Sequence, residues 1–488
     1  MKIIINIIAL LLTTLTAFAS TGHQISIEIA NYEKDTLVLA NYYGDKQYIK
    51  DTVAINEQGK FVFEGEEELD AGVYLVLLLP DNEYFQLLIN KGAQHFSVKT
   101  DATALTEKMQ INGSKDNELF YEYLGFLAQQ RLKIEAIQKE IEGAKAIEKD
   151  QLNKKMTTVN KEVDTYRKNL VATHPDLLTA AFVNAYMEAP MPKFEGTEKE
   201  IQLKRYQHYK AHYFDNINLA DERLVRSPFL FERIEYYRDK LTPKHPDSII
   251  VTLDYLLEQV QPAPETFKYY LSHFLYEYAT SKYVGMDAVY VHLVEKYYAT
   301  GLATWTEEEQ LTKLKENAAT LKPLLIGKIA PDIKMFEIDV EGTINAKEDE
   351  NKYQRWRAKR ELTLHSIKSP YTVLFVWDPT CGNCKKAMPK MVAFHEAFKD
   401  RGVEVFAICT NTVQDDMAAC AASIKEKNMI KWINAIDPFV KSNYKKLYDL
   451  TSTPQIYILD KDKRILSKKI GAEQLPEVME QLMKSLSN

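Results

Sequence analysis

A chain of 488 residues with 45% hydrophobic residues has material for several cores, about two to four domains by length, and is too apolar to stay disordered. Its formal net charge of -7, with both signs mixed throughout, leaves no basic footprint and excludes nucleic acid as an expected partner. All four cysteines, Cys381, Cys384, Cys409 and Cys420, lie in the last quarter, so cysteine is used locally and not as a general staple.

Residues 1–19 read as a secretory signal peptide. Met1-Lys2 is followed by a mostly apolar run from Ile3 to Leu15, and Ala17-Phe18-Ala19 forms an A-x-A cleavage site before Ser20. The run is too short to span a bilayer comfortably, and no other segment reaches about 18 uninterrupted apolar residues. The mature chain is therefore expected to be soluble and periplasmic or otherwise extracytoplasmic. No cysteine stands near the cleavage site to accept a lipid.

Residues 22–113 alternate in short bursts such as Ile25-Ser26-Ile27-Glu28-Ile29, Thr36-Leu37-Val38-Leu39-Ala40, Lys60-Phe61-Val62-Phe63-Glu64 and Val73-Tyr74-Leu75-Val76-Leu77. The breaks fall at Gly44-Asp45, Gln58-Gly59 and Pro80-Asp81-Asn82, which predicts half-buried strands joined by tight turns. The expected domain is a small antiparallel β-sandwich.

Residues 114–322 predict an all-α region. Asp116-Asn117-Glu118 can cap a helix, and Leu119 to Lys168 is rich in helix formers with few breakers, the pattern of an exposed helical hairpin. Pro175-Asp176, Pro190-Met191-Pro192, Ser227-Pro228, Thr242-Pro243 and Pro262-Ala263-Pro264 then punctuate further helices. Tyr269, Tyr270, Tyr276, Tyr278, Tyr283, Tyr290, Tyr297 and Tyr298 read as helix packing with wet hydroxyls in preference to a partner groove. His208 and His212, at i and i+4 without an evident third ligand, read as a solvated pair and not as a metal site.

The last domain, residues 326–488, begins near Ile326-Gly327-Lys328. A charged stretch between Glu341 and Ser369, including Lys347-Glu348-Asp349-Glu350, reads as a solvated insertion. Thr372-Val373-Leu374-Phe375-Val376-Trp377 has the continuous apolar pattern of a strand buried on both faces. Lys385 to Lys399 carries apolar residues at helical spacing, so Cys381 and Cys384 fall at a strand-to-helix junction. Backbone N–H groups at a helix start stabilise a thiolate, which makes the first cysteine the better nucleophile. Cys409 ends the strand from Val403 to Ile408, and Cys420 falls in a helical stretch from Asp415 to Lys427. Bridging needs close Cβ placement, so the two are read as small buried residues in preference to a second, structural or regulatory disulfide.

With strand and helix in place, residues 326–488 resemble a thioredoxin fold of the TlpA type, the exported branch of that family. Trp377 stands four residues before Cys381, Cys381-Gly382-Asn383-Cys384 is the redox motif, Pro389 sits at the family's helix kink, and Thr453-Pro454 precedes the strand from Gln455 to Asp460. The resemblance implies a redox-active Cys381–Cys384 disulfide and a cis Pro454 facing it, with Trp377, Asp378, Thr380 and Thr453 in support. The sandwich, through Asn56-Glu57-Gln58-Gly59-Lys60-Phe61 and Ile111-Asn112-Gly113-Ser114, is similar to a domain found ahead of thioredoxin modules in exported Bacteroidetes proteins, and supplies no catalytic residue. Two proton acceptors of the family are missing: Phe375 replaces the buried acid of thioredoxins, and Ala387 replaces the Glu of many TlpA-type members. Asp378 or water remains to take the Cys384 proton. Thr380 replaces a frequent aromatic residue beside the first cysteine, so the substrate-facing surface is altered.

The chain is thus expected to be multidomain: an N-terminal antiparallel β-sandwich, a central all-α region and a C-terminal α/β thioredoxin fold. The expected function is exported thiol-disulfide oxidoreductase, exchanging with protein thiols or disulfides and fed by an unidentified electron donor. The first two domains would select partners or dimerise, which makes a homo-oligomer an expected form. No cofactor is called for. Zinc would need two ligands beyond Cys381 and Cys384, and Cys409 and Cys420 are too widely spaced for a second C-x-x-C, while Lys385 occupies the place of the His that covalent haem requires. The alternative is a non-catalytic binding protein with a static Cys381–Cys384 disulfide. Peroxide reduction through Cys381 is weaker still, because the C-x-x-C pair is explained without it.

Overall fold

The computed structural model describes residues 22–80, 83–346, 356–412 and 417–486. The expected signal peptide, the Lys347-Glu348-Asp349-Glu350 run, Asp81-Asn82 and Asp415 lie outside the described residues. The described residues up to Thr242, with Tyr255–Tyr269, make one compact unit, and Pro243–Asp254 with the described residues from Tyr270 onward make a second. No helix among the described residues is long and apolar enough to cross a membrane.

The first unit opens with β1 (His23–Ala30), β2 (Thr36–Tyr43), β3 (Lys46–Ala54), β4 (Phe61–Gly65), β5 (Gly72–Leu78), β6 (Glu83–Ile89), β7 (His95–Asp101) and β8 (Gln110–Asn112). These form two four-stranded sheets, ordered β4-β1-β7-β8 and β3-β2-β5-β6. Alternation does the sorting: Ile25, Ile27 and Phe63 from one sheet meet Leu37, Leu39, Val76 and Leu87 from the other in one core. The β1–β7 pair is parallel within an otherwise antiparallel arrangement, because β7 returns from the second sheet and enters beside β1 in its direction.

Nine α-helices follow among the described residues: α1 (Lys115–Gly143), α2 (Ala146–Thr173), α3 (Leu178–Ala185), α4 (Glu198–Ala211), α5 (Pro228–Lys240), α6 (Pro246–Val260), α7 (Pro264–Ala279), α8 (Asp287–Leu293) and α9 (Glu308–Leu321). α1 and α2 form the expected hairpin, but its cap is Ser114 and not the Asp116-Asn117-Glu118 run. Those residues do other work. Asn117 is fully buried and exchanges two hydrogen bonds with the Leu88 backbone at 2.8 and 2.7 Å, docking α1 onto β6, while Asp116 accepts from the Leu178 and Thr179 N–H groups that open α3. With helices over its outer face, β5 is buried on both sides, where its alternation with neighbours predicted half burial. Tyr270, Tyr278, Tyr290, Tyr297 and Tyr298 are buried and Tyr276 and Tyr283 exposed, as packing requires. The rings of His208 and His212 lie 4.2 Å apart, one against the Pro190 carbonyl and the other against Asp215.

The rest of the second unit is α/β. Its elements are β9 (Lys334–Ile338), α10 (Val340–Ile344), β10 (Ala358–Thr363), β11 (Tyr371–Trp377), α11 (Gly382–Phe398), β12 (Val403–Cys409), α12 (Met417–Glu426), β13 (Ile433–Ile436), α13 (Tyr444–Leu447), β14 (Gln455–Asp460), β15 (Ile465–Lys468) and α14 (Leu475–Leu486). Seven strands make one sheet, ordered β10-β9-β13-β12-β11-β14-β15. β11 lies inside it, so Thr372 to Trp377 are all buried: Val373, Phe375 and Trp377 pack on the α11 side with Met388, Met391 and Phe394, and Leu374 and Val376 pack on the other with Phe406, Tyr457 and Leu459. β11, β12 and β13 run parallel, so the loops after Trp377, Cys409 and Ile436 leave from the same edge. Antiparallel pairing of Val376 with Gln455 brings Pro454 to that edge as well.

Candidate active site

The turn after β11 is built by Asp378. Its Oδ1 accepts from the Thr380 N–H at 2.7 Å and the Thr380 hydroxyl at 2.5 Å, and its Oδ2 accepts from the Thr410 hydroxyl at 3.0 Å. An aspartate that binds its own backbone two residues on forms an Asx-turn, which suits the sharp exit from a strand. Partial burial pushes the Asp378 carboxyl up, but the hydrogen bonds from Thr380 and Thr410 outweigh it and hold the group below its ordinary range. Thr410 in turn donates its N–H to the Trp377 carbonyl at 3.0 Å, extending the β12 ladder one residue beyond the strand.

Cys381 caps α11 and Cys384 lies in its first turn. Cys381 is partly exposed and Cys384 completely buried, and both are free thiols, so the pair is in its dithiol form. The Cys384 backbone N–H is the first cause that lowers the Cys381 thiol, and the Thr453 side chain adds to it against the opposing effect of burial. Burial pushes Cys384 the other way, to about 11, although the Asp378 N–H reaches its Sγ at 3.4 Å. Cys381 is therefore the sulfur that ionises first.

The wall opposite is Thr453-Pro454, joined by a cis peptide bond. Cys381 Sγ lies 3.3 Å from the Thr453 carbonyl oxygen. Trp377 is wholly buried beneath the turn in the α11-side core, so it underpins the motif and does not line its surface. Phe375 is also buried, edge-on to Trp432 with ring centroids 6.2 Å apart, and Ala387 is buried nearby on α11. The Asp378 carboxylate is turned to the two threonines, and it is the Asp378 amide that meets Cys384. This geometry makes Asp378 a brace for the turn and does not point its carboxylate at the Cys384 proton.

Two features go beyond the sequence reading. Thr410 has no motif of its own; only the pairing of Trp377 with Cys409 across β11 and β12 brings it to Asp378. Cys409 and Cys420 are joined in a disulfide, which corrects the expectation of two separate buried residues. α12 packs over the end of β12 in the same core as Ala421 and Met417, and so sets the two Cα atoms 6.4 Å apart, within bridging range. Among the described residues no third Cys, His, Asp or Glu ligand gathers with Cys381 and Cys384.

Residues 326–468 match the AhpC/TSA family, and two domains of unknown function, DUF4369 and DUF5106, match residues 23–120 and 144–322. The thiol-disulfide oxidoreductase ResA of Bacillus cereus is 25% identical over 131 residues, which are 26% of this chain and 70% of that protein, and ResA of Bacillus anthracis matches to the same extent. Among solved structures, a domain of a possible thiol-disulfide isomerase from Cytophaga hutchinsonii shows 30% identity, covering 34% of this chain and 97% of that one, with a TM-score of 0.27. A thioredoxin-like protein from Bacteroides caccae shows 19% identity over 60% of this chain and 98% of that one, with a TM-score of 0.42. The C-terminal part of the chain is a thioredoxin-like α/β domain, and its match is to the AhpC/TSA family.

Proposed function

We propose that this chain is an exported, TlpA-type thiol-disulfide oxidoreductase in which Cys381 is the nucleophile, Cys384 resolves and Pro454 shapes the docking surface. One observation carries the reading: a partly exposed Cys381 whose thiol is lowered at a helix start sits beside a buried Cys384 pushed up to about 11. The Cys381 thiolate attacks one sulfur of a substrate disulfide, forming a mixed disulfide and releasing the other sulfur as a thiolate that takes up a proton. Cys384 then loses its proton to water and attacks Cys381 Sγ. The substrate leaves as a dithiol, two electrons richer, and Cys381–Cys384 remains as the disulfide. The same steps run backward when a more reducing donor restores the dithiol or when the pair oxidises a substrate.

In this account residues 1–19 direct export, residues 22–113 and 114–322 select the partner or dimerise, and residues 326–488 perform the exchange with protein thiols or disulfides. The test is Cys384→Ala, purified and offered an oxidised protein substrate: a mixed disulfide should accumulate on Cys381. Failure of the wild-type protein to reduce or oxidise any model disulfide, together with no adduct on Cys381, would overturn catalysis. A second reading, a binding protein with a static Cys381–Cys384 disulfide, is favoured by one observation, the apolar Phe375 and Ala387 where the family keeps its proton acceptors.

A further inference from the structure

In the first unit, the outer face of β5 is apolar because helices cover it, and the cover is incomplete. A cavity of about 310 Å³ remains between β5 and β6, the helices α1, α2 and α3, and the Pro228-Phe229 start of α5. Phe120, Leu124 and Leu127 of α1 and Phe182 of α3 line it and are only partly buried. The apolar surface they leave uncovered costs about 25 cal/mol per Å² until something apolar covers it.

One wall of the cavity is charged. Arg167 of α2 lines it, and its Nε donates to the hydroxyl oxygen of buried Tyr123 at 2.9 Å, which orients the guanidinium. Among the described residues that hydroxyl is its partner and no carboxylate pairs with it, so its two Nη groups are available to an anion. Gln86 stands on the same lining. A guanidinium recognises a carboxylate with two parallel hydrogen bonds. Ligand sites begin at about 300 Å³, and at about 30 Å³ per heavy atom, the share of one water in the liquid, the cavity has room for roughly ten non-hydrogen atoms.

We propose that this cavity binds a small amphipathic carboxylate, its apolar body against Phe120, Leu124, Leu127 and Phe182 and its carboxylate on Arg167. The site is separate from the cysteine chemistry and stands or falls without it. Calorimetric titration of the full chain with octanoate and 3-phenylpropionate tests it, with octanol and octylammonium as head-group controls. The expected result is saturable one-to-one binding of at least one carboxylate, weakened about tenfold or more in Arg167→Gln by loss of the charge-assisted pair, with both controls at least about tenfold weaker. Leu124→Trp, whose indole fills the cavity, should abolish binding at an unchanged Tm; if that variant does not fold, Leu127→Trp replaces it. No saturable binding of either carboxylate to the wild-type protein, binding indifferent to Arg167→Gln, or octylammonium binding as well as octanoate would each overturn the proposal.

Discussion

Cys381 Sγ lies 3.3 Å from the carbonyl oxygen of Thr453, so the sulfur that ionises first faces the residue leading into Pro454. The Thr453 side chain also favours the Cys381 thiolate. Thr453→Val should therefore move the pH profile of Cys381 alkylation to higher pH and slow alkylation at neutral pH by roughly threefold, since the thiolate is the reacting form. Iodoacetamide rates measured from pH 5 to pH 10 on the reduced protein check this; an unchanged profile would show that the Thr453 hydroxyl does not act on Cys381.

Alkylation should also be selective. With Cys384 buried and pushed up to about 11, brief iodoacetamide treatment of the native dithiol protein at neutral pH should leave one adduct, on Cys381. Peptide mass mapping reads the position. Equal labelling of both cysteines would contradict the asymmetry.

The Asp378 brace predicts an acid-dependent loss of stability. Its carboxyl is held below its ordinary value of 3.8, so the stability it contributes is fully present above that value and is lost as pH falls through the lower folded-state value. Thr410→Val removes one of the hydrogen bonds responsible and should cost about 0.5–1.5 kcal/mol at neutral pH. The difference between wild type and variant should shrink below pH ~4, where the carboxyl protonates in the unfolded chain. Thermal melts across pH 3–7 measure it, and a constant difference would show that Thr410 acts without Asp378.

The Cys409–Cys420 disulfide closes a loop of sequence separation 11, for which chain entropy gives a stabilisation of about 3 kcal/mol. Cys409→Ala with Cys420→Ala should lower the urea midpoint accordingly while Cys381 still exchanges with model disulfides. Complete loss of exchange in a folded variant would make this second pair part of the redox chemistry.

Lys468 on β15 is buried, with its ammonium on the Asp287 carboxylate and the Leu324 carbonyl. Asp287→Ala leaves that charge without its anionic partner and should cost about 3–5 kcal/mol. Lys468→Met, which removes the charge altogether, should cost clearly less. Urea unfolding of the two variants decides, and the reverse order would show that the pair itself supplies net stability.

Much of the site was legible because it is local. The Cys381-Gly382-Asn383-Cys384 spacing, the apolar run ending at Trp377 and the helical period after Lys385 each fall within about a dozen residues, and together they placed the motif at a strand-to-helix junction. Thr453-Pro454 was legible through family likeness. What sequence did not disclose depends on register or on packing between distant segments. Thr410 reaches Asp378 only because β12 pairs with β11 so that Cys409 stands beside Trp377. The Cys409–Cys420 bond needs α12 to fold back over the end of that strand. Asn117 looked like a cap and is instead a clamp on Leu88, and that docking is also what buries the second face of β5 and leaves the cavity beside Arg167.

The central claim is that Cys381 and Cys384 form a working redox couple, and its reduction potential is the most direct test. Equilibration of the purified protein against dithiol and glutathione buffers, with the dithiol fraction read by alkylation and mass spectrometry, should give a reversible two-electron couple above about -300 mV. A pair that stays oxidised to below about -300 mV, in the range of structural disulfides, would contradict the account and favour the static binding protein.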